Sequence, residues 1–339
     1  MKALKRISAV LLGSVFFIAG ILKLMDPLGT SLIVEAYLKF LHLGFLRPLS
    51  TVIGEGLALF ETLLGAAVIT GVWKMAVSGI TLFVLGGFSL LVIMLEIFDA
   101  KMDCGCFGEA IHLTHFQSFM KNVGLLALWA LAFIPRNFEP PRKAKYVAMG
   151  ITGISVAAFM VFFLINIPAK DFTVLSPGAE LLGEQDAYSE TDPTLSFSDA
   201  DGNYADSLVL TGRVMVFSVY DPGKLDEKDK DRIGSLSALC REAGIEPMEL
   251  YASTPDDHPG VFYADRRDLM TLNRANGGAT YISDGQIVAK WRPGKFPDAD
   301  NVRELAENDP IESLIKENTS QKLKFQGFLL YVFAVMLLL

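Results

Sequence analysis

Asp103-Cys104-Gly105-Cys106-Phe107-Gly108 stands between two long apolar runs and holds two of the chain's three cysteines. It is read as part of a loop from Asp99 to about Thr114, which divides the chain into membrane-crossing segments on either side. Outward from it, apolar runs cover 51–71 and 73–98 on one side and 119–134 and 146–167 on the other. Each is near the ~20 residues that cross a hydrocarbon core. At the start, Met1-Lys2-Ala3-Leu4-Lys5-Arg6 is a basic leader to an apolar run over 7–22. No small-x-small pattern follows it, which predicts an uncleaved first helix rather than a removed signal peptide. Residues 30–50 are apolar but carry Glu35, Lys39 and His42, and predict an interfacial amphipathic helix. A last run over 325–339 is short for a span and is taken as a sixth.

Fifty-one per cent of the 339 residues are hydrophobic, and they are grouped in blocks, the pattern of a multi-pass membrane protein. The net charge of -8 gathers in the second half, which excludes a nucleic-acid binder and points to an acidic soluble domain behind a membrane bundle. With alternating spans, Lys2, Lys5, Arg6, Lys74, Arg136, Arg142, Lys143 and Lys145 fall on one side, the cytoplasmic one by the positive-inside rule. The cysteine stretch and everything after 167 then face out of the cytoplasm, in a compartment that permits disulfides.

From about 168 to 322 the composition is that of a soluble domain, beginning with a Ser/Gly/Glu-rich linker. Strands are predicted over 194–197, 214–220, 249–252, 279–282 and 286–291, with helices over 224–243 and 268–275. Ser283-Asp284-Gly285 closes a hairpin. Alternation of strand and helix followed by a hairpin is an α/β order.

Two cysteines one residue apart on an outward loop admit two chemistries. A thiolate attacks a partner's disulfide and the second sulfur resolves the mixed species; or the two form a structural staple. Both readings stand at this point. His112 and His115 follow closely enough to raise a copper or zinc site with the cysteines, but the spacing fits no standard one and no metal is assigned. Glu61 lies two turns into a span, where an ionisable side chain is a functional candidate by position. Lys23 is expected to snorkel to the interface rather than pair with Glu61, and Cys240 to be a core residue.

Phe17-Ile18-Ala19-Gly20-Ile21-Leu22-Lys23-Leu24-Met25-Asp26-Pro27, Glu61 with Gly65, the Cys-Gly-Cys-Phe-Gly element and Asn122 together resemble the membrane family of methylamine utilisation protein MauE and its relative DoxX. That resemblance implies a four-helix membrane domain that matures or supports redox enzymes outside the cytoplasm, notably through disulfide formation in methylamine dehydrogenase. Residues 192–297 resemble the thioredoxin-like fold. Where that fold carries Cys-x-x-Cys, this chain has Asp221-Pro222-Gly223-Lys224; where it carries a cis-proline, it has Gly277-Gly278.

The expected fold is therefore an α-helical membrane bundle followed by an α/β thioredoxin-like extracytoplasmic domain. Its expected parts are a MauE/DoxX-like domain over 1–135, a cytoplasmic basic loop and fifth helix over 136–168, a linker over 169–191, the thioredoxin-like domain without a dithiol over 192–300, a second linker over 301–322 and a C-terminal helix over 323–339. The candidate site is Cys104 with Cys106, and Glu61 and Lys23 are the intramembrane polar candidates. The expected setting is a bacterial cytoplasmic membrane, with the N-terminus in the cytoplasm. The expected partners are the lipid bilayer and an extracytoplasmic thiol or redox protein, with no nucleic acid, and the candidate cofactor is a membrane quinone. The alternative is a non-enzymatic assembly protein stapled by a structural disulfide.

Overall fold

The computed structural model describes residues 2–100, 102, 104–135, 140–165, 171–183, 192–252, 261–307 and 309–338, the side chains of 310–322 and 324 excepted. Asp103 of the opening motif, 136–139 of the basic loop and most of the linker at 184–191 lie outside them. The chain divides into two compact units, 1–165 with 324–339, and 166–323.

The first unit is helical: α1 (Lys2–Met25), α2 (Pro27–Phe40), α3 (Ser50–Thr70), α4 (Lys74–Ile97), α5 (His115–Phe133) and α6 (Lys143–Ile165). A short strand, β1 (Cys106–Glu109), lies between α4 and α5. Among the described residues five helices are long and apolar enough to cross a membrane: α1, α3 with the turn before it, α4, α5 and α6. This is an integral membrane protein. Local chemistry sets the helix ends. Asp26 caps α2, its side chain accepting from the Gly29 backbone N–H, with Pro27 in the first turn. Thr114 and Gln117 form a reciprocal capping box at the start of α5.

α1 and α3 approach most closely through small residues. A side chain on Gly65 would stand 2.4 Å from the Phe17 backbone nitrogen and 2.6 Å from the Gly13 carbonyl oxygen. Such contact needs glycine, because lipid offers no hydrophobic drive and helices there associate through close packing. At one end of the bundle Lys5 Nζ donates to Pro135 O at 2.8 Å, Arg6 donates to the Ile69 carbonyl, and Trp73 meets Tyr146 edge-on. The cysteine stretch and α2 occupy the opposite end, so the basic residues and the cysteines are separated by the length of the helices.

The segment 30–50 is not one amphipathic helix. α2 stops at Phe40, and a 3-10 turn, Gly44–Leu49, leads into α3. His42 takes a positive φ of 58° and Pro48 sits inside the turn, so the helical pattern of apolar spacing is cut twice.

In the second unit β2 (Phe197–Ser198), β3 (Arg213–Val219), α7 (Glu227–Glu242), β4 (Glu246–Tyr251), β5 (Val261–Ala264), α8 (Arg266–Leu272), β6 (Gly278–Ser283), β7 (Gln286–Trp291) and α9 (Ala299–Glu307) follow in order. They build one sheet ordered β2-β5-β4-β3-β6-β7. β3 pairs in parallel with β4 and antiparallel with β6, and β6 and β7 form the hairpin. This is the thioredoxin-like arrangement, extended by β5 and β2. Alternation along β3 supplies both faces: Met215, Phe217 and Val219 pack with Ile233, Leu236 and Cys240 of α7, while Val214 and Val216 pack with Leu269 and Leu272 of α8.

Both expected linkers prove partly ordered. Leu175 and Leu181 enter the core beside Val214, and Glu180 bridges to Gln286. Residues 299–307 form α9, which buries Val302 and Ala306, and α10 (Pro310–Leu338) begins soon after. A few apolar residues at the right spacing outweigh a polar composition. In the first unit the end of α10 runs along α6: Phe328 stacks on Phe159 at 4.4 Å, and Lys145 Nζ donates to the Met336 carbonyl at 3.3 Å.

Candidate functional site

The cysteine stretch is pinned to two helices, α2 and α5. Gly105 has a φ of +58°, and a side chain there would collide with Ile33 of α2 at 2.4 Å. Gly108 N–H donates to the Gly105 carbonyl at 3.1 Å, closing a tight turn around Cys106. Tyr37 of α2 donates its hydroxyl to the Cys104 carbonyl at 2.5 Å. From α5, Ser118 Oγ donates to Cys104 Sγ at 2.8 Å, and the Lys121 ammonium lies 4.9 Å from the centre of the Phe107 ring.

The sulfurs of Cys104 and Cys106 are 2.8 Å apart, and both are free thiols. They are unlike. Cys104 is buried, at 6% exposure, and its thiol is pushed up, first by its hydrogen bond to Cys106 and then by burial. Cys106 is more accessible and is pulled down to about 5. The hydrogen bond from Cys104 does most of this; burial opposes it, and the Lys121 and Lys23 ammoniums add to it. A pair sharing one proton with cations on one side places the negative charge on Cys106.

Lys23 does not snorkel. Its ammonium reaches Glu61 Oε2 at 2.5 Å, with both side chains nearly buried, and Cys106 lies within electrostatic reach of both. A lysine buried at the end of a bundle needs a partner of opposite sign to keep its charge, and the Glu61 carboxylate supplies one. Glu61, Lys23, Cys106 and Lys121 thus form one charged cluster at the cysteine end of the bundle. Ser118, Lys121 and Tyr37 escape a reading of the sequence. The one available signal was polar spacing, since Ser118, Lys121 and Asn122 recur three and four apart on an otherwise apolar span.

His115 turns away from the sulfurs, with Nε2 at 2.8 Å from the Met102 carbonyl and Nδ1 at 3.5 Å from Glu96. Among the described residues no three metal-ligating side chains converge. Beside His115, Val92, Ile93, Ile97, Phe116 and Phe119 line an apolar cleft between α4 and α5.

In the second unit, Asp221-Pro222-Gly223-Lys224 follows β3 as a 3-10 turn. Asn276 holds it from across the sheet end: Asp221 N–H donates to Asn276 Oδ1 at 2.9 Å, and Asn276 Nδ2 donates to the Asp221 carbonyl at 2.8 Å. This pair of amide hydrogen bonds closes the turn.

Fold and site together define a membrane protein with an asymmetric thiol pair at one end of its bundle, one sulfur buried and the other partly exposed, and a thioredoxin-like second unit. Residues 1–135, which span α1 to α5, match the family model described as methylamine utilisation protein MauE. A 72-residue stretch is 31% identical to Protein TlpB of Flavobacterium psychrophilum, covering 21% of this chain and 20% of that protein. The chain therefore matches about a fifth of that relative's length. No solved structure matches the chain.

Proposed function

We propose that the protein is a membrane thiol–disulfide exchange factor that serves the maturation of an extracytoplasmic redox protein. The observation that carries this reading is the asymmetry of Cys104 and Cys106: one sulfur is buried and hydrogen-bonded by Ser118, the other accessible and flanked by Lys121 and Lys23. In the oxidised state a partner's thiolate attacks Cys106 Sγ. The S–S bond breaks, and its electron pair leaves on Cys104 Sγ, where Ser118 Oγ and the Cys106 backbone N–H donate to it. The partner's second thiolate then attacks the mixed disulfide and releases Cys106 as a thiolate beside Lys121. The partner gains a disulfide, and the pair becomes a dithiol.

Re-oxidation needs a two-electron acceptor, for which we propose a membrane quinone: the dithiol yields two electrons and two protons, and the quinone takes both as the quinol. The apolar cleft at Phe116 and Phe119, with Glu96 and His115 beside it and Ser118 on the same turn of α5, supports this choice. The separation of the basic end from the cysteine end supports an N-terminus in the cytoplasm of a bacterial cell, with the thiol pair and second unit outside. The matched family's name favours a methylamine-utilisation-like process.

Because Cys106 is the accessible sulfur, Cys104→Ser is the trapping variant. Non-reducing gels of membranes carrying it are expected to show a reductant-sensitive adduct at Cys106. If none forms, and Cys104→Ser/Cys106→Ser retains activity, the pair is a staple and the protein an assembly factor.

A further inference from the structure

The carboxyl of Glu55, in the second turn of α3, takes no part in the chemistry above. The residue is 6% exposed, and neither of its carboxylate oxygens has a hydrogen-bond partner among the described residues. The helices around it hold the charged groups Lys23, Asp26, Glu35, Lys39, Arg47, Glu61 and Glu96. Lys23 is bound to Glu61, Glu35 to Arg47 and Glu96 to His115, while Lys39 is exposed. Arg6, Lys74, Lys143 and Lys145 belong to the opposite end. Among the described residues, the charged group that acts on Glu55 is another acid, Asp26.

The two acids have contrasting surroundings. Asp26 accepts the Gly29 N–H at 3.0 Å and caps α2, so its negative charge meets a helix N-terminus. Glu55 has no such donor. A bare carboxylate buried without a partner is far more costly than a neutral carboxyl in the same place. Of these two neighbouring acids, Asp26 has a backbone donor and Glu55 is stripped of support.

We infer that Glu55 is a proton-binding site, its carboxyl neutral at rest beside the Asp26 side chain that caps α2. The site adjoins the thiol strand: a side chain on Gly29 would stand 2.8 Å from Cγ of Glu109, the last residue of β1. The binding of the proton does not depend on the thiol exchange being correct.

The test uses the full chain in detergent or vesicles and dicyclohexylcarbodiimide, which modifies protonated carboxyls in apolar surroundings. Peptide mass spectrometry at about pH 7 is expected to find at least a tenfold excess of label on Glu55 over the ion-paired Glu61. Glu55→Gln, a neutral isostere, is expected to fold and to lose that label. Wild type is expected to lose stability as pH rises, because unfolding frees Glu55 to ionise, while Glu55→Gln lacks this component. The inference is overturned if Glu55 takes no more label than Glu61, or if the two pH–stability profiles superimpose.

Discussion

At the scale of single residues, the site depends on which of two adjacent sulfurs carries the charge. Cys106, drawn down to about 5, is a thiolate at neutral pH, so its alkylation rate is expected to be flat from about pH 6 upward. It should fall tenfold per unit below about pH 5, as protonation removes the nucleophile. Lys121→Met removes one of the charges responsible, and is expected to move that fall upward by about one unit. A profile that stays in place, followed by iodoacetamide rates in both proteins, would assign the shift to Cys104 alone. The sequence showed the two cysteines and the glycine between them, because spacing is a local property. It did not show Ser118 or Tyr37, which reach Cys104 from 14 and 67 residues away. Nor did it show that Lys23 would find Glu61, since 38 residues separate them and only the α1–α3 crossing brings them together.

At the scale of elements, that crossing is the part of the bundle least tolerant of change. Gly65 admits no side chain against Phe17 and Gly13, so Gly65→Leu is expected to force the helices apart and destabilise the protein by about 3 kcal/mol. Thermal unfolding in detergent measures the loss. The same variant is expected to lengthen the Lys23 to Glu61 contact one turn away, and so to raise the Cys106 alkylation midpoint as well. Five of the helices could be read from the sequence because ~20 apolar residues in a row have few alternatives. β5 and α9 escaped that reading. A four-residue edge strand and a nine-residue helix with two buried side chains carry too little periodic signal, and both are stabilised by a sheet that forms from distant segments.

At the scale of the whole molecule, the second unit is fastened by a residue outside its α/β pattern. Asp171, from the segment expected to be a linker, pairs with Lys290 of β7 at 2.5 Å, where the lysine side chain is 4% exposed. Burial pushes the Asp171 carboxyl up, but Lys290 and the Thr173 N–H outweigh it and hold it below its ordinary value. Its contribution to stability is therefore complete above about pH 4 and is lost as pH falls through the lower folded value. Asp171→Asn is expected to cost about 3 kcal/mol near neutral pH by stranding a buried charge, with the gap closing in acid. Cys240, fully buried with its thiol pushed up to about 11, reports the result, because it is labelled only when this unit opens. The unit's sequence begins after α6 and ends in α10, whose last turns return to the first unit. A domain anchored by both of its termini is a loop of the membrane protein, not a pendant. One proteolytic nick inside it would leave two fragments that each carry part of the first unit, α1 to α6 in one and the last turns of α10 in the other. Complementation by two separately expressed fragments, split within that loop, thus becomes an experiment this topology permits.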